Sequence, residues 1–331
     1  MVLRLCRMGD RRQAAVRELE SRCMEADHTV HRMYLESDCN LDPFMKCFYI
    51  REMKGSPKSV LSISNMEDGR AEITAFTDPE YRRRGMFLEL FGEAADMLRE
   101  RGFDRVYFVH EPASKDGKKV LDRLGARYEK SEYMMEKRLD GNVGADSRRS
   151  GKDGIPAEGG IQAGAEILIA EAGPDDLERL TGLLADCFSM DPEYARERLR
   201  EESGGSATEG GPEYSLWKAC VKEELAGMCA VCREKETASL FDVCVRREDR
   251  RKGIGSALVR GVLDELTAAG IRRVRLQTGS ERAAAVRLYR SLGFEETDRL
   301  DYYELFIDRS GPSAPPLCAP QGRSDIPSAP F

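Results

Sequence analysis

In the second half of the chain, runs of hydrophobic residues with a strand-like period are separated by stretches in which such residues recur every three or four positions. The first pattern predicts strands at Glu166–Ala172, Tyr214–Lys222, Gly227–Cys232, Ala238–Val245, Arg272–Thr278 and Asp301–Ile307. The second predicts helices at Pro174–Met190, Pro192–Arg200 and Ala283–Leu292. A further helix follows Gly255, with Leu258, Val259, Val262, Leu263 and Leu266 on one face. Alternation of this kind predicts a mixed α/β fold, with the aromatic-rich last strand closing the domain.

The first half repeats the second. A constant spacing of 168 residues links Gly85 to Gly253, Gly102 to Gly270 and Gly125 to Gly293, and equally Arg82 to Arg250, Arg83 to Arg251, Val106 to Val274 and Leu124 to Leu292. A gap-free register of glycines and basic residues points to duplication. Residues 140–165 are rich in Gly, Ser, Asp and Ala and nearly free of large apolar side chains, which predicts a flexible linker. Residues 310–331 are rich in Pro and Ser and predict a disordered tail. The expected organisation is therefore two tandem domains, 1–139 and 166–309.

The charge balance bears on partners. With 52 basic and 59 acidic residues the net charge is −7, which argues against a general nucleic-acid binder. No apolar run approaches a membrane span, and Met1–Arg12 has no basic-then-apolar signal pattern. Ten cysteines without framework spacing suit a cytosolic protein with reduced thiols. Cys229 and Cys232 form a C-x-x-C within a predicted strand, where residues three apart face opposite ways, so no metal site is expected.

The candidate chemistry lies between Val243 and Leu258. A β-branched strand end, Val243-Cys244-Val245, leads through Arg250, Arg251, Lys252, Gly253, Ile254, Gly255 and Ser256 into a helix. Glycines bring backbone N–H groups close to a ligand, the helix N-terminus adds unsatisfied donors, and the basic side chains add full charges. Such a turn suits a pyrophosphate. A Walker loop would need Gly-Lys-Ser/Thr where Gly255-Ser256-Ala257 stands, and a dinucleotide fingerprint would need glycine in place of Leu258. A basic strand-to-helix turn with no ligand is the plain alternative.

Arg-x-x-Gly-x-Gly between a strand and a long helix resembles the acetyl-CoA motif of the GNAT N-acetyltransferase superfamily. The run Ala285-x-x-Leu288-Tyr289-x-x-Leu292-Gly293-Phe294, followed by Tyr302 and Tyr303, resembles that family's second block, notably in acetyltransferases acting on ribosomal-protein N-termini. The resemblance covers the second half throughout and the first from about Ala71 to Leu139. It implies transfer of acetyl from acetyl-CoA to a primary amine by direct attack within a ternary complex. Arg250 to Ser256 would hold the pyrophosphate, and the backbone of Val243, Cys244 and Val245 would pair with the pantetheine arm. The Val243 N–H would polarise the thioester carbonyl. Tyr289 would protonate the departing thiolate, or else be a core aromatic. Asp242 would position the amine, or else form a salt bridge to a neighbouring helix. Arg282 replaces a common asparagine and would reach a coenzyme phosphate or cover a helix start.

Two departures complicate the resemblance. In the ribosomal-protein subgroup a glutamate base lies twelve residues before the tyrosine, and here that position is Gln277. In the first half, at the same spacing of 168, Leu121 stands for Tyr289, Phe87 for Gly255 and Thr74 for Asp242, so chemistry is expected in the second half only. Mycothiol synthase is similar in joining two such domains unequally. A small-molecule amine is favoured over a protein N-terminus as acceptor. A non-catalytic coenzyme A-binding scaffold is the competing expectation.

Overall fold

A computed structural model describes residues 2–35, 44–67, 70–139, 167–203 and 211–307. The predicted linker and tail lie outside the described residues. The chain divides into two compact units: Met1–Ser131 together with Leu300–Phe331, and Glu132–Arg299.

In the first unit, strands β1 (Val2–Leu5), β2 (Phe48–Met53), β3 (Ser56–Glu67), β4 (Arg70–Thr77) and β5 (Arg105–His110) follow one another across the sheet. Only β4 and β5 are parallel, from Arg70↔Arg105 to Ile73↔Phe108. Helices α1 (Asp10–Asp27), α2 (Met86–Glu100) and α3 (Lys115–Leu124) complete the unit. Strand β6 (Arg127–Arg138) begins here and passes into the second unit at Glu132.

The second unit repeats the plan. Strands β7 (Ile167–Glu171), β8 (Glu213–Val221), β9 (Glu224–Glu234) and β10 (Thr237–Val245) pair in antiparallel succession. Strand β11 (Arg273–Gly279) then lies parallel to β10. Helices α4 (Leu177–Phe188) and α5 (Pro192–Ser203) cover one face, where Leu180, Leu184, Ala195 and Leu199 pack with Met228, Ala230 and Cys244. On the other face lie α6 (Ile254–Ala268) and α7 (Ala283–Ser291). The apolar stripe of α6 is buried as expected: Leu258, Val259, Val262, Leu263 and Leu266 sit against Ala238, Leu240, Val274 and Leu276. Each buried side chain contributes about 1.5–3 kcal/mol, so a charge at Val262 would undo this face.

One expectation is corrected. The strand expected at Asp301–Ile307 is the end of β12 (Glu295–Phe306), and it does not close the second domain. Asp301–Phe306 runs antiparallel to β5, within the first unit. The edge of β11 in the second unit is instead covered by β6, from Arg273↔Arg138 to Gly279↔Glu132. Strand β6 follows α3 as β12 follows α7. Equivalent strands of a duplication fit either sheet, so exchanging them costs little in pairing, and no hydrophobic pattern reveals it.

Candidate active site

The turn after β10 is built by local geometry. Residues Arg247–Asp249 form a short 3-10 turn, Arg251 adopts φ 61° and Gly253 φ 82°, and α6 begins at Ile254. The positive φ at Gly253 is natural only to glycine. Gly255 is different: its φ is not positive, and a Cβ there would only touch Leu288 and Val245 at 3.5 Å. Neither backbone nor packing requires a glycine at 255, so its bare Cα leaves room for an outside group at the first turn of α6. No acidic residue occupies that turn, so the helix N-terminus keeps its attraction for anions.

Charges around the turn are sorted. Asp249, well buried, accepts from Lys252 at 2.9 Å and from Arg246 at 2.7 Å. Burial raises its carboxyl, but these two cations outweigh that and hold it below the usual range. Lys252 is thereby committed to the protein. Arg250 donates from Nε to the Val245 carbonyl at 3.0 Å and has no carboxylate partner among the described residues. Arg250 is therefore the cation best placed to serve a phosphate.

The cleft beside the turn comes from β10. Its parallel pairing with β11 ends at Leu240↔Leu276, leaving Phe241 to Val245 without a β11 partner. On its other edge the ladder to β9 slips: Phe241 faces Ala230 and Cys244 faces Met228, so Asp242 and Val243 stand opposite Cys229 alone. This bulge carries Asp242 at φ 49°, a left-handed conformation that aspartate tolerates better than most residues. The bulge turns Asp242 to Arg198 of α5 and Val243 to the α6 cluster on the other face.

The Asp242 carboxylate meets Arg198 of α5 in a two-pronged pair, 2.9 Å from Nε and 3.0 Å from Nη2. The helix salt bridge read as its alternative role is thus present. Burial raises the Asp242 carboxyl, with Arg198 and Arg282 pulling the other way. Arg282 precedes α7, and its guanidinium lies over the Phe188 ring at 5.1 Å, half-exposed. Tyr289 of α7 is buried against Phe294, its ring edge-on at 5.8 Å, and its hydroxyl has no hydrogen-bond partner among the described residues. Burial pushes its phenol up, which keeps it protonated as an acid must be. Cys187 at the end of α4 approaches the Val245 carbonyl at 3.6 Å. A hydrogen bond with Cys244, against burial and with help from Arg250, lowers the Cys187 thiol to about 7. Arg198, Phe188 and Cys187 carry no sequence signal: each lies on a helix whose pattern reads as ordinary packing and solvated surface. Among the described residues no cluster of three His, Cys, Asp or Glu side chains could hold a metal ion.

The turn of the first unit has the same backbone, with Arg83 at φ 60°, Gly85 at φ 78°, and Arg82 Nε donating to the Thr77 carbonyl at 3.1 Å. Its surroundings differ. Arg82 is tied to Asp27 of α1 at 2.7 and 3.0 Å. Phe87, which stands for Gly255, points inward, stacked on Phe91 at 5.9 Å and edge-on to Phe108 at 6.3 Å. Strand β4 also lacks the bulge, pairing Thr74, Ala75 and Phe76 without interruption to Ser62, Leu61 and Val60. Asp242 and Val243 therefore occupy the place of Ala75 alone, and the equation of Thr74 with Asp242 is wrong. The structural counterpart of Thr74 is Phe241.

A bulged strand split from its parallel neighbour, ending in a glycine turn at a helix start, occurs here with a second copy of the same turn. The model of the acetyltransferase (GNAT) family matches residues 14–126 and 177–294, most of the chain. The chain belongs to the GNAT family.

Both matches stop short of the exchanged strands β6 and β12. Among curated relatives, the ribosomal protein bS18 alanine N-acetyltransferase of Escherichia coli is 33% identical over 98 residues, 29% of this chain and 66% of that enzyme's length. Mycothiol acetyltransferase of Actinosynnema mirum is 26% identical over 241 residues, 71% of this chain and 74% of that protein. A GCN5-related N-acetyltransferase from Sphaerobacter thermophilus shares the fold, with a TM-score of 0.68 at 18% identity over 94% of this chain and 96% of that one. No helix among the described residues of this GNAT chain is long and apolar enough to cross a membrane.

Proposed function

We propose that the second unit transfers acetyl from acetyl-CoA to a primary amine, with both substrates bound at once. The observation that carries this reading is the bulge of β10, present in the second unit and absent from the first. It sits where the split from β11 leaves one strand edge open. An extended pantetheine arm would pair with Val243, Cys244 and Val245 there, with the Val243 N–H directed at the thioester carbonyl. The pyrophosphate would rest on the turn from Arg250, through Arg251, Lys252, Gly253 and Ile254, to Gly255 and Ser256. The missing side chain at Gly255 and the unclaimed guanidinium of Arg250 support that placement. The amine nitrogen forms the new N–C bond as the C–S bond breaks, and Tyr289 gives its proton to the departing sulfur. Because Asp242 is held by Arg198, its role is to position that arginine and the bulge rather than to take up a proton.

The test is acetyl transfer from labelled acetyl-CoA, followed by mass spectrometry, to a panel of spermidine, glucosamine, lysine and an alanine-initiated hexapeptide. Product with at least one amine is expected. Tight acetyl-CoA binding without product from any of them would favour a coenzyme-binding scaffold.

A further inference from the structure

Two cysteines of the second unit meet beside the turn. Cys187, in the last turn of α4, donates to the Val245 carbonyl at 3.6 Å, the oxygen that Arg250 Nε reaches at 3.0 Å. Cys244 is the neighbouring residue of β10, on the face that packs with α4 and α5. The two thiols are hydrogen-bonded to each other, and neither is bonded in a disulfide. Cys244 is buried and Cys187 partly exposed, so a small solute reaches one sulfur of the pair directly. When Cys187 loses its proton, the Cys244 S–H donates to the thiolate. That hydrogen bond, against burial and with help from Arg250, is what lowers the Cys187 thiol to about 7. The same hydrogen bond, and then burial, push the Cys244 thiol up.

The first unit has the same arrangement with one sulfur only. Cys23 of α1 donates to the Thr77 carbonyl at 3.3 Å, and Arg82 Nε donates to that oxygen at 3.1 Å. A thiol, an arginine and the last carbonyl of a strand therefore meet in both units. The place of Cys244 is taken there by Phe76: each precedes the last residue of its strand, and their partners Met228 and Val60 keep the spacing of 168. Cys23 is buried, and burial pushes its thiol up to about 11 against the pull of Arg82, which Asp27 holds. Equivalent surroundings thus give an inert thiol in one unit and a paired, acidified one in the other.

We infer that Cys187 and Cys244 are a peroxide-sensitive dithiol pair, Cys187 being the sulfur oxidised first and Cys244 the one that closes a disulfide onto it. This stands apart from the acetyltransferase reading, in which neither sulfur takes part in the transfer. The Cys187 thiolate attacks one oxygen of hydrogen peroxide. The O–O bond breaks, its electron pair leaves with the other oxygen as hydroxide, and a sulfenic acid remains on Cys187. The Cys244 sulfur then attacks the Cys187 sulfur, the S–O bond breaks, and the hydroxyl departs as water with the Cys244 proton. The first hydroxide takes a proton from solvent, so two thiols give up two electrons and one peroxide becomes two waters. A disulfide needs its sulfurs at about 2.05 Å, a small closure from hydrogen-bond contact. The bridge ties the end of α4 to β10 and takes the Cys187 donor off the Val245 carbonyl.

The experiment treats the reduced full chain, dilute and folded, with a slight excess of hydrogen peroxide, blocks the remaining thiols with N-ethylmaleimide, and maps peptides by mass spectrometry without reduction. The expected product is a peptide pair joined through Cys187 and Cys244, from a protein that runs as a single chain on a denaturing non-reducing gel, with Cys23 recovered as a blocked thiol. Its formation should quicken roughly tenfold per pH unit below about 7 and level off above. In Cys244→Ser the bridge should be absent and dimedone should trap a sulfenic acid at Cys187; in the wild type that adduct should be scarce. A dimedone adduct at Cys187 as abundant in the wild type as in Cys244→Ser overturns the pairing, because no second sulfur has then closed on the first. A main product that bridges any other two cysteines overturns it as well, as does oxidation of Cys23 at the rate of Cys187.

Discussion

Arg250 and Arg82 occupy the same place in two copies of one turn, each donating from Nε to a strand carbonyl, and their replacement by glutamine should have opposite consequences. Arg250 has no carboxylate partner among the described residues, so Arg250→Gln leaves no carboxylate of the folded protein without its cation. A charge-assisted hydrogen bond to a phosphate contributes about 1.5–3 kcal/mol. Acetyl-CoA affinity should therefore weaken roughly ten- to 150-fold, with the melting temperature little changed. Arg82 is held by both oxygens of Asp27, and the two side chains are only 18% and 17% exposed. Arg82→Gln leaves a mostly buried carboxylate without its cation, at a cost of about 1–3 kcal/mol, more if Asp27 cannot reach water. The melting temperature should drop by roughly 2–12 °C, with acetyl-CoA affinity unchanged. Calorimetric titration and thermal melts on the two purified variants give both quantities. If Arg82→Gln weakens acetyl-CoA and Arg250→Gln does not, the coenzyme belongs to the first unit and the assignment of the active half is wrong.

Three other outcomes are expected. Tyr289→Phe should lower kcat on the order of 10²-fold with acetyl-CoA affinity nearly intact; full activity would return Tyr289 to a packing role beside Phe294. Because the Cys187 thiol is lowered to about 7, it is thiolate above that pH. Its alkylation by iodoacetamide, mapped by mass spectrometry, should rise with a midpoint near pH 7 and slow when acetyl-CoA engages Arg250, whereas reaction only above about pH 8.5 would mark an ordinary thiol. A fragment of residues 166–309 lacks β6 and so loses the seven-residue ladder to β11 and the buried Met135. It should fail to fold by circular dichroism, while residues 127–299 should fold and bind acetyl-CoA; the reverse result would contradict the strand exchange.

The elements and the turn were legible because they follow from local physics. The period of apolar residues marks α6 whatever it packs against, and a turn that needs φ 82° announces itself by Gly253. What could not be read depends on partners distant in the chain. Arg198 reaches Asp242 from 44 residues away, on a helix whose charged positions look solvated. The exchange of β6 and β12 leaves no trace because the two strands are equivalent members of a repeat. The mistaken equation of Thr74 with Asp242 had a signal that counting at one spacing passed over. Every repeat match used lies beyond the bulge. At a spacing of 167, buried Ala71 and Ile73 fall on buried Ala238 and Leu240, whereas 168 puts them on Ser239 and Phe241. The single extra residue is the bulge itself.

Divergence between the units follows from a few local changes on a shared turn. One inserted residue bulges β10 at Asp242 and Val243, and β4 without it runs straight. An aspartate at the end of α1 takes up Arg82, whereas Arg250 has no carboxylate partner among the described residues. Phe87 fills the first unit with an aromatic cluster where Gly255 leaves a gap in the second. None of these alters the backbone of the turn, so the first unit keeps the shape of the turn in different surroundings. It is not dispensable for that reason. The strand that covers β11 is encoded in the first half of the chain. Residues 132–138 therefore belong to the sheet of the second unit, and a cut between the two halves of the sequence would strip β11 of its partner strand.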